Sequence, residues 1–140
     1  MIIINKRNLF FLISVWLLST LLSAQNVTIS TPHTQLLLSV PNGGTPEQLY
    51  YGSRTSDADI RSICETARRR NAYPVYGMGY PCETALSVRH ADGNLTLQMA
   101  VIGVKETRLT KENATLTVIE LKDKVYPFFV NICYLSLIHI

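Results

Sequence analysis

"SVRHADGNLTLQMAV", residues 87–101, alternates apolar and polar side chains on both sides of a short Asp-Gly-Asn break. An extended chain sends successive side chains to opposite faces, so this alternation describes a ribbon with one face for a core and one for water. Leu86, Val88 and His90 share a face opposite Ser87 and Arg89; beyond "ADGN", Leu95, Leu97, Met99 and Val101 oppose Thr96 and Gln98. The spacing predicts a β-hairpin over 84–101 with one buried face.

The neighbouring stretches extend this pattern. "GVKETRL" and "ATLTVIELK" form a second predicted hairpin through Lys111, Glu112 and Asn113, and "YPFFVNICY" begins a further strand after Pro127, a residue suited to a strand start. Upstream, "NVTISTPHTQLLLSV" gives two short strands broken at Pro32. "PNGG" (41–44) is a turn that tolerates positive φ, and "EQLYYG" is a third strand ending at Gly52. Only "SDADIRSICETARRR", residues 56–70, departs from period two. Ile60, Ile63, Cys64 and Ala67 recur at helical spacing, and Ser56 with Asp59 makes a capping-box pattern, so a short helix is expected there. Pro74, Gly77, Gly79 and Pro81 then exclude regular structure from "NAYPVYGMGYPCE". The expected fold class is all-β, an antiparallel β-sandwich with one short helix or irregular segment near 56–70.

The opening of the chain concerns destination. "MIIINKRNLFFLISVWLLSTLLSAQ" places Lys6 and Arg7 before an apolar run from Leu9 to Leu22, and Leu22-Ser23-Ala24 offers small residues for cleavage. The run is short for a membrane span, and residues 1–24 read as a signal peptide, giving an exported protein, periplasmic or secreted, that starts at Gln25. No membrane segment is expected in the mature form. The 116 residues from Gln25 onward make one domain or part of one, with 11 basic against 10 acidic residues. That balance argues against nucleic acid, which wants a concentrated basic surface. The Arg68-Arg69-Arg70 cluster reads as a solvated helix end. At the other end, "LSLIHI" (135–140) has the look of a non-native tail, leaving 25–134 as the domain.

Residues that could carry chemistry are few. Cys64, Cys82 and Cys133 are an odd count; Cys64 with Cys82 is the preferred pair if any forms, since both flank the same irregular segment. Without a CxxC, or a His at ligand spacing from a Cys, neither a zinc site nor any other cofactor is expected. His33, His90 and His139 are scattered, as surface or core histidines are. Asn26, Asn94 and Asn113 lie in glycosylation sequons, which matter only if the source glycosylates exported proteins. "PNGGTP" lacks the Lys-Ser/Thr of a phosphate loop. Five of the seven tyrosines fall between Tyr50 and Tyr80. Flat amphipathic rings near carboxylates suit a sugar site, although strand and loop packing is the favoured reading on composition alone. Asp57 and Asp59 are a carboxylate pair that could flank a glycosidic bond, but both sit where a helix start stabilises acids.

Taken together, "EQLYYGSR", "AYPVYG", "ETALSVRHADGNLTLQMAVIGVKETRL" and "LKDKVYPFFVNICY" resemble, in order and spacing, the N-terminal β-sandwich domain of glycoside hydrolase family 36, chiefly bacterial α-galactosidases. The most specific part is "TALSVRHADGNLT". Thr84 departs from the usual Pro of that motif, Ser53 stands where Lys is common, and Cys82 is not a recognised family feature. The resemblance implies a retaining exo-glycosidase that releases terminal α-galactosyl residues from oligosaccharides. It implies both catalytic aspartates in a (β/α)8 barrel that follows this domain, so no residue here is nucleophile or acid/base. The chain is then an incomplete, supersandwich-like N-terminal fragment, inactive alone, of a homo-oligomeric enzyme. One acidic residue after the Leu-Tyr-Tyr-Gly stretch would reach a substrate pocket, in some members that of a neighbouring subunit; it aligns with Asp59, with Asp57 as the fallback. The alternatives are a secreted glycan-binding β-sandwich and a structural domain.

Overall fold

In the computed structural model, which describes residues 25–137, four strands come first in the chain, interrupted by one helix. They are β1 (Gln25–Ser30), β2 (Thr34–Val40), β3 (Glu47–Ser53) and, after helix α1 (Asp57–Thr66), the short β4 (Arg70–Asn71). β5 (Met99–Leu109), β6 (Ala114–Asp123) and β7 (Phe129–Leu137) follow a long irregular segment. They form two antiparallel sheets in the orders β1-β2-β3-β4 and β5-β6-β7, so the all-β sandwich is the observed fold. The expected signal peptide over 1–24 and residues 138–140, His139 among them, lie outside the described residues; Leu135 to Leu137 continue β7, paired with Leu116 to Ala114.

Apolar side chains of both sheets meet in one core. Val27, Leu38 and Val40 from the first sheet pack with Met99, Val101, Ile119 and Leu121 from the second, and Val75 and Leu97 fill the space between. Burying such side chains is the main favourable term for a domain this small, at about 1.5–3 kcal/mol each. The "PNGG" turn also links the sheets. Gly43 N–H donates to Val101 O at 2.9 Å and Val101 N–H to Gly44 O at 2.8 Å, beside a register shift in β5.

The predicted hairpin over 84–101 does not form. Only Met99 onward is strand; residues 84–98 are extended or turn, with a single parallel bridge between Val75 and Leu86. The physical reason is a third segment between the two arms. Ala85 N–H donates to Pro74 O, Tyr76 N–H to Leu86 O and Leu97 N–H to Tyr76 O, so the backbone groups that would have joined the arms bond to 74–76 instead. Gly77 makes the insertion possible: φ is +94°, and a Cβ there would stand 3.0 Å from the Thr96 Cα. The alternation itself is real, since Leu86, Val88 and His90 are half-buried and Ala85, Ser87 and Arg89 exposed. Leu95 is exposed rather than part of the apolar face.

The helix is as expected. Ser56 is extended and caps it, its Oγ accepting from Asp59 N–H at 3.3 Å, while Ile60, Ile63, Cys64 and Ala67 make a half-buried stripe. The preferred Cys64–Cys82 pair is absent and all three cysteines are free: Cys64 sits on the helix against the Asn26 side chain, while Cys82 is exposed in the irregular segment. The arginine cluster is exposed but not all idle. Arg69 reaches back to Glu47 at 2.9 Å and Ser39 at 3.2 Å, and Arg70 opens β4.

Candidate functional site

Asp57 and Asp59 both occupy the first turn of α1, and both are exposed. They stand two residues apart on a helix, about 200° around its axis, and so diverge rather than face a common bond. Asp59 is engaged locally, its Oδ2 accepting from Ser56 Oγ at 2.7 Å. Ser56 thus caps the helix through Asp59 N–H, while the Asp59 carboxylate bonds the Ser56 hydroxyl rather than its backbone N–H, and both acids favour the positive end of the helix. These two carboxylates are not a glycosidase pair.

The tyrosine-rich region holds an open groove of about 410 Å³ between β3 and the last turn of α1. Gln48, Tyr50, Tyr51, Thr66, Arg68 and Arg70 supply its polar and aromatic lining, and none of its lining residues is acidic. Tyr51 is 68% exposed, whereas Tyr50 is half-buried and donates from its hydroxyl to Ser53 O at 2.9 Å. Tyr73, Tyr76 and Tyr80 do not line it, so the sequence cluster divides between groove and loop.

The "HADGN" turn forms one half of a clasp. Gly93, at φ +85°, closes a turn in which Gly93 N–H donates to His90 O and His90 N–H to Asn94 O, both at 2.9 Å. Asp92 Oδ1 accepts from Asn94 N–H and Asn94 Oδ1 from Thr96 N–H, both at 3.0 Å. Across the fold, Tyr126 stacks on His90 with ring centroids 3.6 Å apart; its hydroxyl donates to Asp92 Oδ2 at 2.6 Å and accepts from Asn94 Nδ2 at 2.9 Å. Phe128 meets the His90 ring edge-on. The Tyr126 hydrogen bond holds the Asp92 carboxyl below its ordinary value and, reciprocally, raises the phenol.

Asp123 anchors the other half of the clasp. Its carboxylate is 1% exposed and accepts three backbone N–H bonds: Gln98 at 2.6 Å to Oδ2, and Val125 and Tyr126 at 2.8 Å each to Oδ1. Burial pushes this carboxyl upward, but the N–H groups of Tyr126, Gln98 and Val125, with His90 nearby, outweigh it and leave the group below its ordinary value. The arrangement fastens the turn at 90–94 to the β6–β7 connection. Both carboxylate oxygens of Asp123 accept from backbone N–H groups, which makes it a positioning device rather than a reacting centre. By its own residues "ADGN" is a plain turn; its partners lie some thirty residues on, in "DKVYPF", beyond the reach of any local pattern.

The glycosyl hydrolase family 36 N-terminal domain model matches residues 44–137, which take in β3 to β7, the groove and the clasp. The chain belongs to this family. Among solved structures, the family 36 domain superposes on the α-galactosidase from Lactobacillus brevis with a TM-score of 0.68, at 16% identity over 81% of this chain. A variant of the family 36 α-galactosidase AgaA from Geobacillus stearothermophilus, in complex with raffinose, gives the same TM-score at 15% identity and 81% coverage. The galactosidase domain of the α-galactosidase-sucrose kinase AgaSK gives 0.61 at 22% identity over 79%. This chain spans about 20% of the length of each of them. No curated protein matches it.

Proposed function

We propose that the chain is the supporting N-terminal domain of an exported, retaining α-galactosidase that removes terminal α-galactosyl residues from oligosaccharides. The family match over 44–137 carries this reading. The two aspartates that do the chemistry belong to a (β/α)8 barrel encoded further along the same gene, and the domain alone is inactive. The leader over 1–24 supports export. Asp57 and Asp59 diverge and Asp123 is consumed by backbone bonds, which fits a scaffold better than a catalytic centre.

Within the homo-oligomeric enzyme, Asp59 accepts a hydroxyl of the galactoside held by a neighbouring subunit, and Asp57 is the alternative. One oxygen of Asp59 is bonded to Ser56, leaving the other free to accept. The test is kinetic and uses the full-length protein. Asp59→Ala should raise KM for raffinose about tenfold, as loss of a charge-assisted bond does, with a smaller change in kcat. Unchanged kinetics in both Asp59→Ala and Asp57→Ala would remove the proposed contact. A full reading frame lacking any barrel would remove the enzyme assignment.

A further inference from the structure

The groove between β3 and α1 has a composition that the scaffold role does not need. Arg68 and Arg70 both line it, are exposed, and form no ion pair among the described residues, whereas their neighbour Arg69 is paired with Glu47. No acid faces them from the groove walls. Beside them stands the Tyr51 ring, 68% exposed, although an aromatic ring recovers its hydrophobic contribution only when covered. Gln48 and Thr66 add polar groups that can both donate and accept.

We propose that this groove binds a carboxylate-bearing sugar, a hexuronate unit of an acidic glycan. A pyranose covers the Tyr51 ring with its C–H face, and the Arg68 and Arg70 guanidinium groups fork onto the carboxylate. A neutral sugar fits less well, because it leaves the two guanidinium groups without a counter-charge and no carboxylate lines the groove. An extended peptide added along the part of the β3 edge that β4 leaves unpaired would have to displace the Tyr50 hydroxyl, which lies over Gly52 and bonds to Ser53 O. The site is independent of the galactoside contact at Asp59.

Saturation-transfer difference NMR on the 140-residue chain, titrated with trigalacturonate, tests this. Expected is saturable binding in the roughly millimolar range, weakened about tenfold by Arg68→Gln with Arg70→Gln and several-fold by Tyr51→Ala or by half-molar salt. Circular dichroism checks that the variants keep the wild-type fold. Absence of binding overturns the proposal. So does equal binding of raffinose with the arginine variants unaffected, which would mark a neutral-sugar site, equal competition by citrate, which would mark an anion patch, or preferential binding of an acidic peptide. None of these outcomes bears on hydrolysis by the full-length protein, so the two readings fail separately.

Discussion

Replacing Asp123 by Ala removes the acceptor of three backbone N–H groups in one step. The side chain is 1% exposed, and the three bonds to Gln98, Val125 and Tyr126 measure 2.6, 2.8 and 2.8 Å. A buried donor left without a partner costs about 1–3 kcal/mol. Water entering the vacated space will recover part of that, so a loss of about 3–5 kcal/mol in local stability is expected. Hydrogen exchange followed by mass spectrometry, at low micromolar concentration to limit association, reads it directly. Peptides covering 95–100 and 123–128 should exchange roughly a hundredfold to several thousandfold faster, while β1 and β2 change less. Asp123→Asn, which keeps an acceptor but no charge, should fall between. Exchange that rises less than tenfold in both segments would refute the clasp. The same group sets an acid limit. Its folded value lies below the ordinary carboxylate value, so its contribution is complete above about pH 4 and is lost as pH falls through that lower folded value. Asp123→Asn should remove that step from an acid titration followed by far-UV circular dichroism.

Three further expectations concern other parts of the fold. β7 is an edge strand with no charged residue from Phe129 to Leu137, and Phe129, Cys133 and Leu135 are exposed along it. The chain should therefore self-associate, and Leu135→Lys should lower its sedimentation coefficient; unchanged association would mean that another surface is responsible. Leu97 is fully buried between the sheets, so Leu97→Ala should cost about 2–5 kcal/mol in urea denaturation, measured in the Leu135→Lys background. In the same background, Ser56→Ala should cost ~0.5–2 kcal/mol through the lost helix cap, and a neutral result would show that the cap is dispensable.

Local signals were legible in the sequence because they depend on neighbours in the chain. Ser56 and Asp59 announced the helix start, Pro32 and Pro127 the strand boundaries, and the alternation at 114–123 the β6 strand. The misreading at 84–101 has a physical origin. Alternation tells which side chains face a core, but it does not tell which backbone lies alongside. Here residues 74–76, held off regular structure by Pro and Gly, occupy the place of the partner strand. The clasp was hidden for a related reason: Asp92 meets Tyr126 across 34 residues, and no local pattern encodes that meeting. Asp57 and Asp59 illustrate the converse, since their spacing alone, on a helix, already argues against a facing pair.

Whether this domain supports chemistry that lies elsewhere decides the assignment. The most direct measurement is hydrolysis of p-nitrophenyl α-galactoside by the 140-residue chain beside that by the full-length gene product. No release above buffer by the chain, with turnover by the longer protein, is the predicted result. Turnover by the chain itself, or none by a correctly folded full-length protein, would contradict it.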